Sequence, residues 1–446
     1  MAAEGAVESL EQLVWLLCAT AAERPFYFLL AVVLPLSGLA IFCIYLLLHL
    51  VAPKPRLPYP SEKTYITTSP DGTVSAPRPL PCWYDRWHAE GKLSQEYPTI
   101  PAGFPVPDEA TIEPAEVEIS VVVPAYNEEA RITAALEEMV EYLDQQFGRP
   151  NNRFLQPERQ ERSAQKSGKK GKRATTPHRL VFKPDSPTST SPPGTGRALD
   201  NATQPSGYEI LIVDDGSRDR TVDVALSFAR KHGLHDVLRV VKLAKNRGKG
   251  GAVTHGLRHV RGKYAVFADA DGASRFSDLG RLIEGCEDVV DGSNRGVAIG
   301  SRAHLVGSEA VVKRSAVRNF LMRSFHFVLT ILTPPATSRI RDTQCGFKLF
   351  SRAALPHVVP YMHAEGWIFD IEMLMLAESA PATPVLASDG SVIGTSYGIK
   401  VAEVPVGWHE VDGSKMSLVQ DSVRMAIGLA VLRASWMLGV YRRRLA

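Results

Sequence analysis

Residues 119–128 read ISVVVPAYNE, and residues 209–217 read EILIVDDGS. Both stretches contain an apolar, largely β-branched run and end in polar residues, which predicts buried strands over 119–123 and 209–213. Similar runs predict strands at 238–243 and 264–268, and apolar residues at helical spacing predict the helices between strands: 129–147, 221–232 and 249–260. Strands that alternate with helices predict an α/β domain, a mostly parallel sheet with helices on both faces.

The composition of the chain is that of an ordinary folded protein. Its 446 residues are 45% hydrophobic and 22% charged, which excludes wholesale disorder and a polytopic membrane protein. With 51 basic and 48 acidic residues the net charge is +3, so there is no global signature of polyanion binding. The five cysteines are far apart and form no Cys-x-x-Cys pair, so we expect neither a disulfide framework nor a zinc site.

One segment near the N-terminus is apolar enough to cross a membrane. Residues 26–48 carry no charge, and at about 1.5 Å per residue they span the roughly 30 Å hydrocarbon core. Acidic residues precede the segment, whereas Lys54, Arg56 and Lys63 follow it. The positive-inside rule therefore predicts a lumenal stretch 1–25 and a cytosolic C-terminal part, with a buried core helix or an uncleaved signal as the alternatives.

The remaining chain divides into a linker and an interrupted domain. Residues 49–117 are rich in proline and turn residues without a sustained helical or strand period, although Trp83 and Trp87 indicate that part of the linker packs. The domain extends over 118–445. Within it, residues 150–206 are rich in Pro, Ser, Thr, Lys and Arg, which predicts a disordered basic insertion.

The charge of that insertion leaves two interpretations open. A basic loop could recruit RNA or anionic lipid, which would make the chain a non-catalytic membrane scaffold. We interpret the insertion as a solvated surface loop and expect no nucleic-acid partner.

Polar residues follow four predicted strands, and ligands in such sheets bind at the carboxyl ends of strands. The turn after 119–123 could hold the nucleobase and an anionic group of a ligand. Asp215 and Ser217 after the second strand could merely cap a turn or a helix. Residues 245–251 read KNRGKGG and suit a phosphate, without matching the phosphate-loop consensus. Asp269 and Asp271 lie at alternate positions after the fourth strand, so both can face one divalent cation and its diphosphate.

Taken together, these motifs resemble a known family. Segments 121–128, 213–217, 246–250 and 269–272 resemble, in order and spacing, the GT-A domain of family-2 inverting glycosyltransferases. The segments IGSR (299–302) and DTQCGFKLF (342–350) resemble its polyprenyl-phosphate branch. The segments GWIFDIE (366–372) and VPVGWH (404–409), together with the single predicted membrane span, are most similar to dolichyl-phosphate β-glucosyltransferases. The resemblance covers about 118–147 and 208–445.

The resemblance implies an endoplasmic-reticulum membrane enzyme, with a cytosolic catalytic domain, that transfers glucose from UDP-glucose to dolichyl phosphate with inversion for protein N-glycosylation. The mannosyl counterpart, which uses GDP-mannose, stays open. The oligomeric state is also open.

The resemblance also assigns roles to individual residues. Donor-binding residues would be Pro124, Ala125, Tyr126, Glu128, Asp214, Asp215, Lys249, Asp269 and Ala270. Asp269 and Asp271 would bind Mg²⁺ or Mn²⁺ with the diphosphate, and Asp271 is thereby also a catalytic candidate. Asp370 stands where alcohol-accepting relatives place a base. Arg302, Arg314 and Arg341 are candidates for the lipid phosphate, with a surface charge as the alternative for each.

Two amphipathic segments fit an enzyme that works at a membrane surface. Residues 317–332 mix aromatic and basic side chains, and residues 423–440 are apolar but interrupted by arginines. Both predict interfacial helices, and ordinary packing against the core is the alternative for the first.

Overall fold

The computed structural model describes residues 12–96 apart from 13, 17 and 21, and residues 112–149, 205–305, 324, 327–386, 391–411 and 418–443. The predicted insertion 150–206 lies outside these residues except for its last two. Arg314 and most of 317–332 also lie outside them.

The strands and helices are as follows. The strands are β1 Thr64–Tyr65, β2 Arg78–Pro79, β3 Val117–Ala125, β4 Tyr208–Asp214, β5 Leu238–Lys242, β6 Gly262–Ala268, β7 Val297–Ser301, β8 Phe347–Ser351, β9 Thr383–Leu386, β10 Val392–Ser396 and β11 Val401–Pro405. The helices are α1 Pro25–Val51, α2 Trp83–Glu96, α3 Ile132–Gln146, α4 Thr221–Lys231, α5 Gly248–Leu257, α6 Leu279–Val289, α7 Pro335–Arg339, α8 Leu355–Val358, α9 Phe369–Glu378 and α10 Leu418–Met437.

The central sheet has seven strands in the order β11-β7-β8-β6-β3-β4-β5. All run parallel except β8, which is antiparallel to both of its neighbours. The four strands with predicted polar ends, β6, β3, β4 and β5, are consecutive in this order, so their carboxyl ends lie side by side. Because β8 is reversed, its first residue Phe347 pairs with Ala268 at the carboxyl end of β6.

Hydrophobic residues cover both faces of the sheet, as the alternation of strands and helices predicts. Successive residues of β3 point to opposite faces: Val121 and Val123 pack in the cluster with α3 and α4, and Val122 packs in the cluster with α5 and α9. Each of these side chains is fully buried. The predicted fold class is therefore confirmed.

The segment treated as a linker contains a helix, which the sequence analysis missed. Helix α2 packs through Trp83, whose indole N–H donates to the carbonyl of Leu257 at 2.7 Å. Ile66 forms an antiparallel bridge with Val240 of the edge strand β5. The missing helical period has a physical reason: α2 buries aromatic residues crowded into its first turns and is otherwise polar.

Helix α1 is the one candidate membrane span among the described residues, and it includes the predicted segment 26–48. A π-helical turn, Leu29–Val33, ends two residues before the proline at position 35, where an α-helical hydrogen bond is lost. The end of the helix is attached to the domain, since the hydroxyl of Tyr441 donates to the carbonyl of Pro53 at 2.7 Å.

Candidate active site

The turn after β3 is attached to the turn after β4. Asn127 adopts φ 52°, a left-handed conformation that asparagine tolerates, and its backbone N–H donates to Ser217 Oγ at 2.9 Å. The N–H of Glu128 donates to Thr221 Oγ1 at 2.8 Å. These bonds hold the predicted donor residues Tyr126 and Glu128, both half-buried, beside the end of β4.

The two aspartates after β4 are buried and held by backbone N–H groups. Asp214 accepts from Ser217 N at 3.2 Å, and Asp215 accepts from Arg247 N at 2.6 Å. Burial raises the pKa of both carboxyls, that of Asp215 to about 7, against the opposing effect of the N–H groups of Arg247 and Gly248. Asp215 accepts N–H groups from Arg247 and Gly248 at the start of α5, as a helix cap would, whereas Asp219 accepts from the N–H of Thr221, the first residue of α4.

The glycines in the first turn of α5, directly after the loop that follows β5, are required for close packing. A Cβ added to Gly248, which has φ +79°, would lie 2.6 Å from the carbonyl oxygen of Glu365, and one on Gly250 would lie 2.5 Å from Phe369 Cβ. The glycines that suggested a phosphate site therefore also leave room for the segment that leads into α9. Lys249 extends from the first turn of α5 to Asp269, with Nζ 2.6 Å from Oδ1.

Asp269 and Asp271 lie at the carboxyl end of β6 and are partly exposed. Asp271 accepts from Ala273 N at 3.1 Å, and its other oxygen is 3.9 Å from Arg131. In the part of the chain that the structure describes, no group of three or more His, Cys, Asp or Glu side chains is arranged to hold a metal. Two carboxylates nevertheless fit Mg²⁺ or Mn²⁺, because such ions are commonly bound by one or two carboxylates together with substrate phosphates.

Two other predicted donor residues are positioned mainly by packing. Ala270, between the two aspartates, has its side chain buried in the hydrophobic core, as does Ala125 at the end of β3. Pro124 lies within β3 and pairs with Val213.

Asp370 is brought to the same edge of the sheet but is not free. It lies in the first turn of α9, buried, in an ion pair with the fully buried Lys348 of β8. Lys348 also donates to the carbonyl of Cys345 at 2.7 Å. Burial raises the pKa of Asp370, and the ammonium groups of Lys348 and Lys249 oppose that rise. Sequence reasoning missed Lys348, although a lysine inside the apolar run FKLF was a signal.

The predicted phosphate-binding arginines have different surroundings. Arg302 makes a two-pronged ion pair with Asp342, at 2.7 and 2.9 Å, and also donates its backbone N–H to that carboxylate. Burial disfavours the charged guanidinium, but Asp342 outweighs it and raises the pKa of Arg302. Arg341 is exposed, and among the described contacts none joins its side chain to Asp269 or Asp370.

Gly346 lies between the aspartates that follow β6 and the ion pair of Lys348 with Asp370. A Cβ added to Gly346 would lie 2.0 Å from Asp269 Oδ2, so only glycine leaves room for that carboxylate. The reversed β8 thus places Gly346 against the proposed metal ligand and Lys348 against Asp370.

Comparisons with known proteins show which family the chain is similar to. Residues 193–355 match the model of glycosyl transferase family 2. A dolichyl-phosphate beta-glucosyltransferase of Saccharomyces cerevisiae is 35% identical over 93% of this chain and 94% of its own length. Those of Homo sapiens and Dictyostelium discoideum are each 34% identical over 73% of this chain, and 78% and 76% of their own lengths.

The chain belongs to the dolichyl-phosphate β-glucosyltransferase family. It is a glycosyltransferase with the GT-A fold, as the resemblance implied, and the non-catalytic scaffold is excluded. Among solved structures, glucosyl-3-phosphoglycerate synthase of Mycobacterium tuberculosis, in complex with Mn²⁺, UDP-glucose and phosphoglyceric acid, is similar with 16% identity, a TM-score of 0.39, and coverage of 72% of this chain and 80% of that one.

Proposed function

We propose that this family member transfers glucose from UDP-glucose to dolichyl phosphate with inversion, giving dolichyl β-D-glucosyl phosphate for protein N-glycosylation. The observation that carries the proposal is that the cluster of Lys249, Asp269 and Asp271 lies on the same sheet edge as the buried Asp214 and Asp215, with β3 between them, in a chain of this family. A nucleotide, a diphosphate and a cation need these groups side by side.

The donor would lie along the ends of β3, β4 and β6. Ala125, Tyr126 and Glu128 would contact the uridine together with Asp214 or Asp215. Asp269 and Asp271 would hold Mg²⁺ or Mn²⁺, which supplies stabilisation of the negative charge that develops on the departing diphosphate. Lys249, which pairs with Asp269 in the structure, would donate to a diphosphate oxygen once that carboxylate is shared.

The acceptor changes what the protein must do. Dolichyl phosphate is already ionised at neutral pH, so its oxygen needs orientation and charge balance and no general base. We therefore assign Asp370 to holding Lys348, and Arg302 and Arg341 to the acceptor phosphate. Asp342 fixes the Arg302 guanidinium, so little side-chain freedom is lost when a phosphate binds.

The proposed location is the endoplasmic-reticulum membrane, with α1 as the single span and the catalytic domain on the cytosolic side. Exposed apolar side chains support contact with a membrane surface: Phe327 and Ile331 in the helical turn before α7, and Val423 and Ile427 on α10. The opposite face of α10 is buried through Leu429 and Leu432, which anchors it to the domain.

The direct test is transfer of labelled sugar to lipid. Detergent-solubilised protein is incubated with Mn²⁺, dolichyl phosphate and, in separate reactions, labelled UDP-glucose or GDP-mannose. Label in the lipid fraction from UDP-glucose alone supports the proposal, and the anomeric configuration of that product tests inversion. Label from GDP-mannose alone would move the chain to the mannosyl alternative, and label from neither would overturn the proposed acceptor.

A further inference from the structure

Glu62 lies in the segment between α1 and α2 and is completely buried. Its Oε1 accepts the backbone N–H of Ala244 at 2.8 Å, and its Oε2 accepts the N–H of Tyr59 at 2.9 Å. The guanidinium of Arg56 binds both oxygens. A buried carboxylate needs such partners, and this one uses them to connect the segment after α1 to the first residues of the loop after β5.

The same loop is held at its other end. The guanidinium of Arg247 donates to the carbonyl of Arg56 at 3.2 Å and to Glu365 Oε1 at 2.7 Å from Nε, while the backbone N–H of Arg247 donates to Asp215. Hydrogen bonds therefore hold residues 244–247 to Glu62 at one end and to Asp215 and Glu365 at the other. Lys249 follows two residues later.

One further contact holds Glu62 in place. Its carbonyl pairs with His255 Nε2 at 2.9 Å, on the helix α5 that starts at this loop. Burial would raise the pKa of Glu62, but the hydrogen bonds from Arg56, Ala244 and Tyr59 outweigh it and lower the pKa to about 2. The carboxylate is thus ionised throughout the working pH range.

We infer that Glu62 is a positioning residue for donor binding, which holds the Ala244–Arg247 loop so that Lys249 faces the nucleotide diphosphate. The segment after the membrane helix is then part of the donor site. This inference rests on the proposed function for the identity of the donor, but not for the contacts themselves.

The test uses Glu62→Gln in the full chain, since glutamine keeps the size and removes the charge. We expect the KM for UDP-glucose and the Kd for UDP to rise about tenfold, the effect of one lost charge-assisted hydrogen bond. The KM for dolichyl phosphate should stay unchanged. Hydrogen–deuterium exchange should accelerate in peptides covering 243–251. The matched control is Asp85→Asn, which removes the exposed Lys63–Asp85 pair from the same region.

Each outcome has a distinct meaning. Unchanged donor KM, UDP affinity and exchange in Glu62→Gln would overturn the inference, as would equal rises of both KM values. If the variant fails to fold, Arg56→Gln removes the same ion pair from its partly exposed side and must show the donor-specific change. If wild-type protein binds GDP and not UDP, the proposed donor fails, while faster exchange at 243–251 would still support the positioning role.

Discussion

The candidate active site lies at the edge of the central sheet where its parallel strands end, and the two halves of this edge balance their charges in different ways. In the backbone-held half, the turns after β3, β4 and β5, Asp214 and Asp215 accept main-chain N–H groups, and Asp214 also accepts from the Ser217 hydroxyl. In the ion-paired half, β7, β8 and α9, Asp370 and Asp342 are matched by the side chains Lys348 and Arg302. Substitutions other than proline leave a backbone N–H donor in place, whereas any change of side chain can remove a side-chain partner, so the ion-paired half should be the more fragile to single substitutions.

The largest effect is expected where the halves meet, at the end of β6. Asp271→Asn removes a charge from the proposed metal site, and we expect transfer to fall about 10³-fold, the upper range for losing one preorganised electrostatic group. Initial rates over a Mn²⁺ titration measure this change. The control Asp223→Asn, an exposed position on α4, should keep wild-type rates. A threefold loss or less in Asp271→Asn would contradict the metal assignment.

The next effect tests the fragility of the ion-paired half directly. Lys348→Met leaves Asp370 buried without its partner, which should lower the free energy of unfolding by about 3–5 kcal/mol. Denaturant unfolding measures the stability of Lys348→Met and of the double variant Lys348→Met/Asp370→Leu, and transfer of labelled sugar measures their activity. The double variant should regain most of the stability, because well-packed apolar residues often replace a buried pair without loss, but it should stay inactive. Recovered activity would show that the pair is only structural.

A smaller effect is expected from crowding the junction. Gly346→Ala places a methyl group against Asp269 and must displace that carboxylate. Misplacement of about 1 Å can reduce a rate about 10²-fold, so we expect a loss of this size with little change in melting temperature. Gly366→Ala is the matched control, since a Cβ there meets no atom within 4 Å. Equal activity of the two variants would count against close contact between Gly346 and Asp269 in solution.

The two halves also differ in how far the sequence predicted them. The backbone-held half follows from local pattern: an apolar run followed by Asp214 and Asp215 predicts both the strand and the site at its end. The ion-paired half depends on partners distant in sequence. Lys348 and Asp370 meet only because β8 is reversed, and neither the reversed strand nor this partner follows from a local period. Helix α2 was missed because its buried aromatic residues, Trp83 and Trp87, are confined to its first two turns, which is too short a run to show a sustained helical period.

The smallest expected effect concerns the backbone-held half and is seen only as a function of pH. The pKa of Asp215 is raised by burial to about 7, whereas in the unfolded chain it is about 3.9. Between these values the folded protein binds the extra proton, so the stability that Asp215 contributes is present below about pH 4 and is lost as the pH rises towards 7.

Asp215→Asn lacks this titration and keeps an oxygen that can accept from Arg247 N. We therefore expect the melting temperature of Asp215→Asn minus that of wild type to rise with pH by a few degrees, and then to level off above about pH 7. Melting curves without nucleotide at pH 5, 6, 7 and 8 measure that difference. A difference that does not change with pH would mean that Asp215 stays ionised, and that backbone N–H groups balance a buried charge as completely as a lysine does.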